Sequence, residues 1–365
     1  MDFIPISLIK YCSTVFSEII FNPANLSISQ GFFPLKFKLI QVTPLLKKHG
    51  LGKNTPSNYR HIYNLNNISK LLEHFILSRI QHHTRSSCNF NPFQSAYRRY
   101  YSTESALLLA LDNIYHATDE CSSTVLISLD LSTAFDTIDY TILLSELQTR
   151  FGISGLALAR FNPYLEGRSQ FVRIGCSTSP VTLCTTGFLQ GSVLGPMLVY
   201  LFISTIAHIV SSYHILQHQY VYDTPLCVAI FKDNYDTPVA KLELCISTLH
   251  TWFCYNGLAL NLDKSEAIVF VTSQGSRSLP IISTVNVAGT FVQVSNQVRI
   301  LGVILDSRLS LDAHMSALSK ACFYHIYALC HTRPNLTLDC FKNIACSLVG
   351  RRLDYANLTF VGILV

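Results

Sequence analysis

The stretch STVLISLDLSTAFD, Ser123 to Asp136, decides how this chain is read. Its first seven residues are rich in β-branched and apolar side chains, the pattern of a buried strand. The run ends on Asp130. A carboxylate at the exit of a core strand is costly unless it is hydrogen-bonded or ligated. One reading is a helix N-cap for the segment that follows. The other is a ligand for a divalent cation such as magnesium, which takes one or two carboxylates together with phosphate oxygens. The second reading requires another carboxylate on a neighbouring strand. HQYVYDTPLC, His218 to Cys227, supplies Asp223 at what reads as a hairpin turn, where aspartate is also an ordinary turn former.

Outward from this strand, helices and strands mix without βαβ regularity, which predicts an α+β architecture. Apolar spacing predicts helices over 69–84, 103–116 (capped by Ser102 or Thr103), 140–150 and 238–255, and from near Val193. Strands are predicted at 266–272 and through 282–305, with a turn at Ala288–Gly289, and the chain is helical again from Asp312. The chain has 365 residues, of which 49% are hydrophobic and 13% charged, which excludes a disordered protein. A net charge of +5 is compatible with nucleic-acid contact without demanding it. The twelve cysteines show no CxxC pair, which argues against a zinc site and for reduced intracellular thiols. No secretory signal is legible at the N-terminus, so the expected location is intracellular, cytoplasmic or nuclear. The apolar run Met197 to Val210 is short for a bilayer and reads as a core helix, so no membrane is expected as a partner.

Six further segments, with the one around Asp130, resemble the ordered motifs of non-LTR (LINE-type) retrotransposon reverse transcriptases, most of all the CR1/L2/jockey-like elements. LDLSTAFDTID, around Asp130, resembles their first metal-binding motif. TGFLQGSVLGP (Thr186 to Pro196) is similar to GVPQGSVLGP, and NYRHIYNLNNISKLLE (Asn58 to Glu73) to NYRPISNL..ISKLLE. QSAYRRYYSTESALL (Gln94 to Leu108), NGLALNLDKSEAIVF (Asn256 to Phe270), VRILGVILDSRLSLDAHM (Val298 to Met315) and RRLDYAN (Arg351 to Asn357) complete the series in family order. The resemblance implies a right-hand polymerase fold with an antiparallel palm sheet. Fingers are expected over 1–122, with 140–183 returning to their border, the palm over 123–306 and the thumb over 307–365. The chain is expected to stop inside or at the end of the thumb and to carry no endonuclease domain ahead of residue 31.

The implied function is RNA-directed DNA synthesis, with an RNA template, a DNA primer, deoxynucleoside triphosphates and two Mg2+ ions as partners. Asp130 and Asp223 would hold metal, and Lys264 would act as general acid toward the pyrophosphate leaving group. Arg60, with Lys47 or Lys48, would meet the triphosphate. Phe135 would gate against a 2′-hydroxyl, and Gln190 and Gly191 would lie near the incoming nucleotide. Arg351 and Arg352 would touch the nucleic-acid backbone. Each residue also has an ordinary reading: core aromatic for Phe135, turn for the glycines, surface charge for the basic residues.

The sequence departs from the family at the metal loop. Where YADD is usual, the chain has Tyr220, Val221, Tyr222 and Asp223. A phenol is neutral at pH 7 and offers magnesium neither the charge nor the paired oxygens of a carboxylate. Leu189, His61, Tyr63, Pro225 and Arg160 also replace the family's residues, and Pro163 falls where a helix is expected. The expectation is an impaired polymerase, with a non-catalytic nucleic-acid-binding remnant or a pseudogene product as rivals.

Overall fold

The computed structural model describes residues 5–48, 50–121, 123–132, 137–188, 190–231, 234–271 and 282–360. Phe135 and Leu189 lie outside them, and so does the last residue of the strand predicted at 266–272. The strands used below are β1 (Leu39–Leu46), β2 (Tyr59–Asn64), β3 (Ser123–Leu129), β4 (Ser169–Ile174), β5 (Leu216–Gln217) and β6 (Thr224–Ile230). They continue as β7 (Glu266–Val271), β8 (Thr284–Val287), β9 (Thr290–Ser295), β10 (Gln297–Ile300) and β11 (Val303–Asp306). The helices are α1 (Asn67–Arg85), α2 (Thr103–Cys121), α3 (Tyr140–Thr149), α4 (Phe161–Leu165), α5 (Leu194–Ile203), α6 (Asp236–Tyr255) and α7 (Asp312–Thr332).

The chain divides into two compact units, each discontinuous in sequence. The first comprises Met1–Pro92, Ser132–Thr205 and Trp252–Ala259. In it β1 pairs antiparallel with β2 and parallel with β4. Helix α1 begins where the Asn66 side chain accepts from the Ile68 amide at 2.8 Å, an N-cap ahead of the apolar stripe. Pro163 does not prevent α4 from forming. It sits at the third helical position, where an amide has no intrahelical acceptor to lose. Arg160, just ahead of it, has its Nε closed off from solvent with no hydrogen-bond partner among the described residues.

The second unit comprises Phe93–Leu131, Ile206–Thr251 and Leu260–Val365. Its main sheet has the order β8-β9-β7-β3-β6-β5, antiparallel except for β7 with β9. Strand β3, at the centre, is buried along almost its whole length, as its wealth of β-branched and apolar residues predicts. Helix α2 places Leu107, Leu111 and Ile114 against Leu126, Ile268 and Phe270 of this sheet. That i, i+4, i+7 spacing is one face of a helix. Ser102 is its cap: Ser102 Oγ accepts from the Ser105 amide at 3.1 Å, and Ser105 Oγ from the Ser102 amide at 2.8 Å. The apolar stretch Leu194–Ser212 is long enough by composition to cross a membrane, and 78% of its apolar window is buried within the protein.

Candidate active site

Strand pairing builds the site. The β3–β6 register runs from Ser123 opposite Ile230 to Leu129 opposite Thr224. Continued by one pair, it sets Asp130 across from Asp223. Cross-strand neighbours project from the same face, so the two carboxylates face one another. Burial, and then the charge of Asp130, push the Asp223 carboxyl up to about 6, while Lys264 opposes the shift. This is the behaviour of two acids sharing one site. Asp130 Oδ2 is closed off from solvent and makes no hydrogen bond among the described residues. Lys264 Nζ stands 3.4 Å from it on a largely exposed side chain. The lysine ends the short turn Leu262–Lys264 just ahead of β7, whose Glu266 pairs with Ser128. The Asp130 carbonyl is anchored by the Asn261 amide at 2.8 Å. A cavity of 340 Å3 is lined by Asp130, Asp223, Lys264, Tyr220, Glu266 and Arg299 among others.

The turn itself is Val221–Tyr222. Tyr220 and Asp223 exchange both backbone hydrogen bonds around it, at 3.0 and 3.1 Å. Positive φ at its first residue only, 59° at Val221, is that of a type II′ turn. Tyr222, at the second position, is half-buried and adds a neutral phenol where the resemblance expects a carboxylate. Three residues on, Pro225 interrupts the hairpin ladder. The His218 amide donates to the Pro225 carbonyl at 3.1 Å, but proline has no N–H to return. The ladder breaks at His218, between β5 and the Tyr220 bridge. Burial pushes the His218 imidazole down to about 4, so it is a neutral hydrogen-bonding group, 3.1 Å from Ser95 Oγ.

The remaining predicted residues divide between the units. Lys47 and Arg60 lie together on the β1–β2 hairpin of the first unit, both exposed, with Arg60 opposite Leu45. Lys47 Nζ donates to the Ser57 carbonyl at 2.9 Å, and Lys48 follows it, exposed. Gln190 and Gly191 belong to the same unit. A Cβ on Gly191 would lie 3.2 Å from the Tyr63 carbonyl of β2, and its φ is 107°, so glycine is required there by close backbone approach. Arg351 and Arg352, in the second unit, line a separate cavity of 540 Å3 with Arg299 and His314.

Two buried polar residues escaped the sequence reading although both stand inside its motifs. Glu73 ends NISKLLE and has no exposed surface. Its Oε2 accepts from the amides of Val193 and Leu194 at 2.6 and 3.2 Å, capping α5 at the end of the Gly-rich segment. Arg168, equally buried, stands 3.9 Å away, donates to the Tyr164 carbonyl at 2.6 Å and stacks on the Tyr164 ring. Gln94, the first residue of QSAYR, bonds Val221 of the Tyr220–Asp223 hairpin directly.

Residues 46–305 match the family described as reverse transcriptase (RNA-dependent DNA polymerase). The chain belongs to the reverse transcriptase family. Relatives of this reverse transcriptase domain come from non-LTR mobile elements. It is 25% identical, over 89% of its length, to the probable RNA-directed DNA polymerase from transposon BS of Drosophila melanogaster. It is 24% identical over 93% to the RNA-directed DNA polymerase from mobile element jockey of the same species. The chain spans 35% and 37% of those two proteins. In fold it is similar to telomerase from Candida tropicalis. For the apo enzyme truncated from its C-terminal domain the TM-score is 0.51 at 12% identity, covering 82% of this chain and 59% of that one. For the complex with a fragment of telomeric RNA it is 0.51, covering 90% and 55%. The fold is the right-hand polymerase fold, α+β with mainly antiparallel sheets, as the motif order implied. Reverse transcriptases use a divalent metal, typically Mg2+.

Proposed function

We propose that this chain is an RNA-directed DNA polymerase domain of a non-LTR element whose nucleotidyl transfer is impaired at one position of its catalytic hairpin. Its substrates would be an RNA template, a DNA primer and deoxynucleoside triphosphates, met inside the cell, in cytoplasm or nucleus. The register that sets Asp223 opposite Asp130, with Tyr222 beside them in the turn, carries this reading.

The donor set fits a divalent ion incompletely. Asp130 brings a buried carboxylate oxygen without a hydrogen bond, and Asp223 brings a carboxyl whose ionisation is hindered by burial and then by its neighbour. A cation is what relieves both. Among the described residues no three His, Cys, Asp or Glu side chains converge on one point. The remaining oxygens would come from phosphate and water. Bound there, Mg2+ would supply positive charge to the attacking and leaving oxygens. A family enzyme shares two such ions among three carboxylates. Here two acids remain, and Lys264 occupies part of the field around Asp130. Lys264 would protonate the departing pyrophosphate oxygen. Arg60, Lys47 and Lys48 would hold the triphosphate, Phe135 would exclude the 2′-hydroxyl, and Gln190 and Gly191 would border the nucleotide.

The test is Mg2+-dependent primer extension on an RNA template by the chain and by its Tyr222→Asp variant. The expected outcome is near-background synthesis by the unaltered chain and a gain of about 100-fold in the variant, roughly 3 kcal/mol of transition-state stabilisation. Robust synthesis by the unaltered chain would overturn the impairment. A second reading, a nucleic-acid-binding remnant, draws on the cavity lined by Arg299, Arg351 and Arg352. It predicts salt-sensitive binding of a primer–template hybrid without turnover in either chain.

A further inference from the structure

Gln94 has no exposed surface, and its amide is directed at a single turn residue. Gln94 Nε2 donates to the Val221 carbonyl at 3.0 Å, and Gln94 Oε1 accepts from the Val221 amide at 2.9 Å. The same Oε1 accepts from the Ala96 amide at 3.0 Å, which fixes the orientation of the planar group. The backbone on either side is tied to the same hairpin. The Gln219 amide donates to the Phe93 carbonyl at 3.1 Å, and the Ser95 amide to the Gln219 carbonyl at 3.0 Å. Val221 holds φ at 59°, a region that β-branched residues avoid and that this turn ordinarily reserves for glycine. A strained residue persists only where its surroundings over-determine it.

We propose that Gln94 is a positioning residue for the catalytic hairpin: its amide clamps both backbone polar atoms of Val221 and thereby holds residues 222 and 223 toward Asp130. A primary amide offers a donor and an acceptor side by side in one plane, whatever the pH. Methionine at 94 keeps the volume and removes both bonds. The clamp also explains how valine is accommodated in this turn. Its consequence for metal binding rests on the reading of Asp130 and Asp223 given above. The existence of the clamp does not.

Amide hydrogen exchange at Val221 and Mn2+ binding followed by electron paramagnetic resonance test it on the full chain. In the unaltered chain the Val221 amide is expected to exchange at least about tenfold more slowly than an open turn amide. Gln94→Met is expected to remove that protection while Val125, Leu126 and Ile127 of β3 keep theirs. In the Tyr222→Asp background it is expected to weaken Mn2+ binding about tenfold. Adding Val221→Gly, which relieves the strain that the clamp holds, is expected to return most of that affinity. Free exchange at Val221 in the unaltered chain would overturn the clamp. So would unchanged exchange in a folded Gln94→Met chain, and failure of Val221→Gly to restore affinity would reduce Gln94 to a packing role. Should the Tyr222→Asp chain bind no Mn2+, the metal reading fails while exchange at Val221 still decides the clamp.

Discussion

Glu73 in the first unit and Asp223 in the second are both acids held away from water, and their surroundings treat them in opposite ways. Glu73 accepts from two helix amides and faces the Arg168 guanidinium, so its charge is spread over partners supplied by the protein. Asp223 faces Asp130, and the field around it disfavours its charge. The first arrangement is a closed staple that joins α1 to the start of α5. The second is left open, as a site is when a ligand supplies the missing charge. Function is therefore sought where the buried acid is poorly satisfied, and stability where it is well satisfied. The staple is not perfect. Arg168 Nη1 and Nη2 make no hydrogen bond among the described residues, and burial with Glu73 alongside pushes the Tyr164 phenol well above its ordinary value.

The largest effect should come from breaking the staple. Glu73→Ala leaves the Arg168 guanidinium buried without its counter-charge and the first amides of α5 without an acceptor. A loss of about 3–5 kcal/mol in urea unfolding is expected. A loss below about 1 kcal/mol would remove the contrast between the two sites.

The open site should respond with the opposite sign. Asp223 titrates near 6 in the folded chain, above its ordinary 3.8, so folding favours its protonated form. That preference stabilises the fold fully below about pH 4 and is lost as pH rises through 6. Asp223→Asn is therefore expected to stabilise the metal-free chain by about 2 kcal/mol at pH 8, and by nothing near pH 4. Unfolding at the two pH values checks it, and an equal effect at both would show that charge is not the cause.

The smallest of the three concerns the hairpin ladder. Pro225→Gln restores the donor that would return the His218 bond, and about 1 kcal/mol of stabilisation is expected. The gain should appear together with slowed amide exchange across the Tyr220 to Thr224 hairpin. Stabilisation without that slowing would place the effect elsewhere.

Much of the fold was legible from local pattern. The apolar-rich run before Asp130 gave a buried strand, the spacing of Leu107, Leu111 and Ile114 gave a helix, and Ser102 was one of two caps read from sequence. Pro163 read as an obstacle because sequence does not say at which helical position a proline falls, and the position decides the cost. The roles of Glu73 and Gln94 were not legible. Both sit in recognised motifs, but a buried glutamate and a surface one look alike in sequence. The Glu73 partners at 193 and 194, and the Gln94 partner at 221, come from distant parts of the chain.

By itself the sequence determined the periods of the elements, the family and the presence of Tyr222 where the resemblance expects a carboxylate, because these depend on residue type and local spacing. The tertiary structure decided that Asp130 meets Asp223, that Asp223 is held near a pKa of 6 and that Gln94 grips Val221. Those outcomes depend on strand register and on which groups share a low-dielectric space. Both are set by long-range packing, and a shift of one residue would have turned the side chains to the other face.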